Sequence, residues 1–312
     1  MTLTELKYIV ALARERHFGR AAEACFVSQP TLSVAVKKLE DELGMTLFER
    51  SAAEVGVTPL GSEIVQQATR VLEEVETLKA LARQGQDPLV GPLKLGAIYT
   101  IGPYLLPPLI AALRKTAPRM PLLIEESYTA VLAEKLKQGQ LDAIVISLPF
   151  AAPGIETAAL YDEPFVVALP AGHAWSKRKS IKAEDLAKEN LLLLGSGHCF
   201  RDQVLKVCPA LNRASAAGSL QRTLEGSSLE TIRHMVASGA GITVLPCGSV
   251  AGPPAEKRLL VTRPFVAPAP RRRVALAWRK GFPRRQAIEA LRAAVRDARL
   301  DCVRPAGPGQ AV

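Results

Sequence analysis

Apolar residues recur at helical spacing from the start of the chain. Leu3, Leu6, Ile9, Val10 and Ala13 share one face, and Thr2 with Glu5 three residues later forms a capping-box signature in front of them. The pattern predicts a first helix, then a short Ala-rich helix over residues 19–25. A third helix, capped by Ser28, turns Leu32, Val36, Leu39 and Leu43 inward until Gly44 stops it. Two short helices with a three-residue joint are the spacing of a helix-turn-helix. Residues 47–50 and 55–58 are suited to pair as a small β wing, and Thr58-Pro59 opens a fourth helix with proline at its first position. Up to about residue 83, Ile64, Ala68, Val71, Val75, Leu78 and Ala82 alternate in steps of four and three. Such a heptad seam implies a dimerising helix about 37 Å long at 1.5 Å per residue. The alternative is an amphipathic helix packed on its own domain. Residues 84–92, rich in glycine and proline, read as a linker.

From Leu93 the grammar changes. Strand-like runs at 93–98, 122–125 and 143–147 alternate with helical stretches at 103–115 and 130–138, the signature of a parallel α/β sheet. A second series follows: a strand at 165–169, a helix from Ala183, a strand at 191–194, helices after Cys199 and from Leu229, and a strand at 242–245. The strand at 274–278 and the helix at 283–299 return to complete the first series. The expected architecture is therefore α/β with a separate N-terminal domain: a winged helix-turn-helix at 1–58, a linker helix at 59–87 and a two-lobed domain at 88–312. Within that domain, lobe I (88–162 and 268–312) flanks lobe II (163–267).

Composition narrows the partners. At 312 residues, with 48% hydrophobic and 22% charged positions, the chain has the proportions of a globular protein of more than one folding unit. No apolar run approaches the roughly 20 residues of a membrane span, and Met1 to Tyr8 lack the order of a signal peptide. A cytoplasmic location without membrane association is expected. A net charge of +10 suggests a polyanionic partner, but residues 1–58 hold seven Lys/Arg against eight Asp/Glu, a balance of −1. Net charge thus does not carry a DNA argument. Five cysteines in a reducing compartment argue against a disulfide framework and leave buried thiols, metal ligands or reactive thiols.

The third helix opens with Ser28-Gln29-Pro30-Thr31-Leu32-Ser33, amide and hydroxyl side chains at a helix N-terminus, where a recognition helix touches base edges and phosphates. A polar helix start with no ligand is the bland alternative. The wider arrangement is more specific: Phe18-Gly19-Arg20-Ala21-Ala22, then Val27 through Ser33, Lys38-Leu39-Glu40, Leu43-Gly44 and Leu47-Phe48-Glu49-Arg50. This resembles the LysR-type family of transcription regulators over the first 60 residues. The resemblance implies a winged helix-turn-helix, a linker-helix dimer that assembles into a homotetramer, and a two-lobed, periplasmic-binding-protein-like effector domain. It makes double-stranded promoter DNA and RNA polymerase the expected partners, with Ser28, Gln29, Pro30, Thr31, Ser33, Lys37 and Arg50 facing DNA. Ala52, Ala53 and Glu54 stand where the wing usually carries further basic residues.

A second constellation, Gly195-Ser196-Gly197-His198-Cys199-Phe200-Arg201-Asp202, follows the strand at 191–194 and sets Cys199 at a helix N-terminus. There the helix dipole and a neighbouring imidazole would favour the thiolate, the form that attacks peroxide. Cys208 lies nine residues on, about 13 Å away along a helix, whereas a disulfide needs Cα atoms about 4.4 to 6.8 Å apart. Joining the two would mean breaking the helix; two unrelated thiols are the alternative. Gly197-His198-Cys199, Arg201-Asp202-Gln203, Cys208, Ser228-Leu229-Glu230-Thr231 and Gly241 through Pro246 resemble the peroxide-sensing members of the same family. That resemblance implies a peroxidatic Cys199 and a resolving Cys208, with Thr100, Thr129 and His198 binding hydrogen peroxide and Asp202 and Arg272 nearby. It also implies a thioredoxin-type or glutaredoxin-type thiol reductant. Independently, Thr100, Thr129 and His198 each follow a strand and precede a helix, where ligands of α/β sheets gather.

Cys25 reads as a buried structural thiol, and Cys247 and Cys302, without a partner at metal spacing, as non-functional. His173 and His234 stand alone, so no metal is expected, and no cofactor. The runs Lys177-Arg178-Lys179 and Arg271-Arg272-Arg273 read as solvated faces, apart from the role that resemblance lends Arg272. Three functions follow in order: a redox-switched regulator, a regulator binding a small metabolite between the lobes, and a thiol peroxidase, which would have no need of a DNA reader.

Overall fold

The computed structural model describes residues 1–50, 55–82, 88–209, 225–250, 259–298 and 300–306. The wing tip with Ala52, Ala53 and Glu54, and residues 83–87 at the end of the expected linker helix, lie outside the described residues. Two compact units result: Met1–Gln86 with Gly281–Pro283, and Asp87–Lys280 with Arg284–Val312.

In the first unit, α1 (Leu3–Glu15) begins as its sequence requires. The Glu5 amide donates to Thr2 Oγ1 at 3.2 Å and the Thr2 amide to Glu5 Oε2 at 2.7 Å, the reciprocal capping box. Helix α2 (Phe18–Ala24) is capped by His17, whose Nδ1 accepts from the amides of Gly19 and Arg20 at 3.1 and 3.3 Å. Helix α3 (Gln29–Leu43) starts at Ser28 and ends at Gly44. Ile9, Leu12, Ala21, Leu32, Val36 and Leu39 close a common core over which the antiparallel pair β1 (Phe48–Arg50) and β2 (Val55–Val57) lies, with Phe48 opposite Val57. Helix α4 spans Pro59–Ala82. Its seam divides: Ala68 is buried and Ile64 packs on the reader core, whereas Val71 and Leu78 are 37% and 68% exposed. The first half of α4 thus serves its own domain, and in its second half Val71 and Leu78 face outward while Leu72 still packs on the core.

In the second unit β3 (Leu93–Ile98), α5 (Gly102–Thr116), β4 (Leu122–Ser127), α6 (Thr129–Lys137) and β5 (Ala143–Leu148) succeed one another, with β3 parallel to both β4 and β5. The long β6 (Ile155–Pro170) then leads to β7 (Leu191–Leu194), α7 (Cys199–Val207), β8 (Glu225–Gly226), α8 (Leu229–Ala237), β9 (Ile242–Pro246) and β10 (Leu260–Pro264). Next, β11 (Arg271–Arg279), α9 (Arg285–Asp297) and β12 (Arg304–Pro305) complete the described chain. One sheet runs β4-β3-β5-β11-β6-β9-β7-β8, with β10 and β12 also paired to β6. Strand β7 is parallel to β8 and β9, but β11 is antiparallel to β5 and β6, and β6 to β9. The sheet is therefore mixed: two parallel α/β halves share β6 and β11 as an antiparallel seam.

Some elements depart from the sequence-based expectation. Strand β6 begins ten residues before the apolar run at 165–169, because Glu156, Asp162, Glu163 and Pro164 interrupt the apolar alternation while distant β11 supplies its pairing. The stretch at Ala183 is a short 3₁₀ segment, Ala183–Lys188. Cys247 and Cys302, read from sequence as non-functional and without a partner at metal spacing, are joined by a disulfide with Cα atoms 6.2 Å apart. The pairings of β9 and β12 with β6 bring together two residues 55 positions apart, which local spacing does not reveal. Among the described residues no helix is long and apolar enough to cross a membrane, and no cluster of His, Cys, Asp and Glu is arranged to hold a metal ion.

Candidate functional site

Two surfaces gather the residues singled out above. At the start of α3, Gln29, Pro30, Thr31 and Lys37 are exposed and Ser33 is half-buried, while Leu32 and Val36 anchor the opposite face. Ser28 is engaged in building the helix end: its Oγ lies 2.7 Å from Thr31 Oγ1 and accepts from the Thr31 amide at 3.4 Å. Gln29 is therefore the best-placed free amide of the set. The Arg50 side chain lies outside the described residues. In the turn between α2 and α3, Phe26 is 95% exposed with a φ of 57°, a left-handed conformation uncommon for an aromatic residue. Sequence pattern did not mark it, since the apolarity of a turn residue carries no periodicity.

The second site lies where three strand-to-helix turns of the regulatory unit converge. Gly197 turns the chain into α7 at a φ of 93°, and a Cβ there would stand 3.3 Å from the Tyr128 ring, so glycine satisfies both the backbone and the close approach. His198 follows, buried, donating to the Ser227 carbonyl and ringed by Tyr128 and Tyr99 at centroid distances of 4.8 and 6.0 Å. Burial lowers its pKa from the ordinary value, against the pull of that hydrogen bond, so the imidazole favours its neutral form.

Cys199 opens α7, and the Thr129 hydroxyl, on the first residue of α6, hydrogen-bonds its sulfur. Burial raises the thiol's pKa; the Thr129 hydrogen bond and the positive charge of Arg272 oppose that rise, and Asp202 adds to it. Desolvation thus works against the thiolate expected at a helix end, and burial likewise disfavours the imidazolium that would assist it. Asp202 itself is exposed, and it acts on the sulfur through charge.

Arg272 is almost fully buried on β11. Its Nε donates to Glu163 Oε2 at 2.7 Å, and its two terminal nitrogens to Thr100 Oγ1 and the Thr100 carbonyl at 2.9 and 2.7 Å. The guanidinium also lies 5.4 Å over the Phe200 ring, beside the turn into α7. Thr100 is buried and held by this arginine. Glu163, the counter-charge that permits a buried arginine, escaped sequence reasoning because it sits in the charged part of β6.

Cys208 occupies the other end of α7, immediately after Val207, and is buried in the apolar cluster with Phe200 and Val204. The intact nine-residue helix therefore separates the two thiols. On the same helix Gln203 donates to Ser147 Oγ of β5 at 2.8 Å, tying α7 to the first half of the sheet, while its own Oε1 is buried without a hydrogen-bond partner. Tyr104 of α5 similarly donates to Glu230 of α8 at 2.9 Å. A cleft of about 580 Å³ lies alongside, lined by Phe165, Gln203, Lys206 and Arg271 to Arg273 among others.

Residues 3–62 match the bacterial regulatory helix-turn-helix proteins of the lysR family, and residues 86–299 the LysR substrate binding domain. The chain is 43% identical over 303 residues to the DNA-binding transcriptional dual regulator OxyR of Escherichia coli K12, covering 96% of each. It is 38% identical to the hydrogen peroxide-inducible genes activator of Haemophilus influenzae, covering 95% of this chain and 97% of that one. Its structure resembles a full-length Cys-to-Asp variant of OxyR from Pseudomonas aeruginosa, with a TM-score of 0.82, 54% identity and 99% of each chain covered. It also resembles an H2O2-bound cysteine mutant of OxyR from Corynebacterium glutamicum, with a TM-score of 0.63, 32% identity and 95% and 92% covered. With both parts of the chain matched and nearly its whole length shared with OxyR proteins, the chain belongs to the LysR family of bacterial regulators, and within it resembles OxyR.

Proposed function

We propose that this chain is a peroxide-responsive, DNA-binding transcription regulator, an activator switched by a reversible disulfide between Cys199 and Cys208. The observation that carries the reading is Cys199 at the mouth of α7, hydrogen-bonded by Thr129 and faced by the buried Arg272, with a second thiol sealed at the far end of the same helix. In this reading Thr100, Thr129 and His198 orient hydrogen peroxide and Arg272 stabilises the thiolate, with Asp202 at the rim. The thiolate attacks one peroxide oxygen, water leaves, and Cys199 becomes a sulfenic acid. Cys208 then displaces the hydroxyl as a second water and closes the disulfide, which a thiol reductant reopens.

Because α7 holds the thiols about 13 Å apart, bond formation has to unwind it. Unwinding would strip Gln203 from Ser147 and so report the event to the other half of the sheet. A remodelled segment of this kind biases how regulatory domains pair and how far apart the readers stand on DNA.

The reading divides the chain into a reader at 1–58, a linker helix at 59–87 and a regulatory domain at 88–312, whose lobe II spans 163–267. Gln29, Pro30, Thr31, Ser33 and Lys37 would meet promoter DNA, with Ser28 shaping the helix end and Arg50 at the wing. The exposed Val71 and Leu78 of α4 suit pairing with a second copy, on the way to a homotetramer. The protein would act in the cytoplasm with RNA polymerase, and not as an enzyme. Mass mapping of disulfides before and after brief, low peroxide exposure tests the reading: a Cys199–Cys208 link should appear only after exposure. Normal promoter responses in both Cys199→Ser and Cys208→Ser would sink it. The cleft lined by Phe165, Gln203, Lys206 and Arg271, where Arg273 is ion-paired to Asp162, favours a second reading, binding of a small metabolite between the lobes, which those same mutants would leave intact.

A further inference from the structure

The disulfide between Cys247 and Cys302 joins two parts of the regulatory unit that the sheet carries separately. Cys247 follows β9, in the half built around β7 and β8. Cys302 lies just before β12, whose residues Arg304 and Pro305 pair with Asp162 and Tyr161 of β6, and the Ala306 amide donates to the Leu160 carbonyl. That terminal segment follows α9, which packs on α5 of the other half. The covalent link therefore spans the two halves at the stretch of β6 where the chain passes from one to the other.

Three features mark this pair as more than a staple. Cys302 is exposed while Cys247 is buried, so one sulfur end is open to an attacking thiolate, the condition under which a disulfide is labile. Cys302 also holds a φ of 62°, a conformation a non-glycine residue keeps where its surroundings impose it, and the bond to Cys247 is one such restraint. Finally, the residue after Cys247 reaches the sensor. The Gly248 amide donates to Glu163 Oε1 at 2.9 Å, and the other oxygen of that carboxylate takes Arg272, which grips Thr100 and faces Cys199. A Cβ on residue 248 would stand 2.6 Å from Glu163 Oε1, so the backbone is seated directly on the carboxylate.

We propose that Cys247 and Cys302 form a second thiol–disulfide couple, separate from Cys199 and Cys208. Its bond clamps the C-terminal segment across the two halves and keeps the Gly248, Glu163, Arg272 and Thr100 chain in register beside Cys199. A low-molecular-weight disulfide such as oxidised glutathione is the oxidant. The two thiols give up two protons and two electrons, an S–S bond forms between their sulfurs, and the small disulfide is cleaved to two thiols. A dithiol reductant runs the exchange backwards. The couple itself stands on the geometry alone, and only its effect on Cys199 rests on the peroxide-sensing function proposed above.

The test uses the full-length chain in two arms. A Cys199→Ser variant is equilibrated across glutathione redox buffers, quenched in acid, alkylated and mapped by mass spectrometry. The Cys247–Cys302 peptide pair should rise through a single midpoint. Two thiols that stay alkylated throughout, or that pair with glutathione or another copy and not with each other, would overturn the couple. In the second arm the rate of Cys199 oxidation by peroxide is compared between the parent chain and Cys302→Ser, with Cys302→Ala as a second replacement. A change of roughly two- to thirtyfold is expected, the span of couplings carried through such networks. Equal rates in folded variants would overturn the link to the sensor. A Cys199 inert to peroxide in every form would instead remove the sensing function and leave the couple of the first arm standing.

Discussion

Replacing Thr129 with valine isolates a contact that the proposed peroxide chemistry requires. The substitution exchanges a hydroxyl for a methyl of similar shape, so helix α6 keeps its first turn and stability should change by less than about 1 kcal/mol. What disappears is the hydroxyl that donates to the Cys199 sulfur and offsets the burial that raises the thiol's pKa. A hydrogen bond to a charged acceptor contributes about 1.5–3 kcal/mol, and each 1.36 kcal/mol corresponds to about tenfold in rate. Since Thr129 is half-buried, water can partly take its place, which sets the expected slowing near the lower end, about tenfold. The assay is the pseudo-first-order oxidation of Cys199 in the full-length chain under excess peroxide, followed by acid quench and mass analysis. A strong thiol oxidant such as diamide should still close the Cys199–Cys208 bond, because the valine alters activation and not the ability of α7 to open. Thr129→Ser, which retains the hydroxyl, should restore most of the rate. An unchanged rate in a folded Thr129→Val chain would refute the reasoning.

Other outcomes follow from the same structure. Gln29→Ala should weaken specific operator binding by about 1–3 kcal/mol and leave scrambled DNA nearly unaffected, as for a lost base contact; equal losses on both would contradict base reading. Because burial holds the Cys199 thiol above its ordinary pKa of 9.0, its oxidation rate should go on climbing with pH through that value. A plateau reached at neutral pH would show a thiolate already formed. Glu163→Ala leaves the buried Arg272 charge without its carboxylate and should lower unfolding free energy by about 3–5 kcal/mol in a urea titration; an unshifted midpoint would mean that water reaches the guanidinium. With a reader whose charges nearly cancel, the salt dependence of DNA binding should be shallow for each subunit, and a steep slope would point to a second DNA-contacting surface.

Local patterns account for much of this protein. The Thr2 and Glu5 box, the Ser28 cap, the Gly44 stop and the apolar spacing of α1 and α3 depend on neighbours within a turn or two, so the reader was legible before any coordinates. The same holds for the strands that are largely apolar, such as β3, β5 and β7, and for the helix that starts at Cys199 and keeps Cys208 at its far end. The heptad spacing of α4 was legible as well, but not its division, because the same apolar residues serve an internal core or a partner surface according to what packs against them. Tertiary structure alone decided the features built from distant segments. The first half of β6 is a strand because β11 pairs with it, despite the charges it carries. Glu163 is buried because Arg272, more than a hundred positions away, neutralises it. The thiol of Cys199 is pushed upward because the fold desolvates it more than the Thr129 hydrogen bond and the Arg272 charge offset. Cys247 and Cys302 meet because two strands pair with a third. In each case the deciding energy is burial, charge pairing or a cross-sheet contact between residues that chain spacing does not relate.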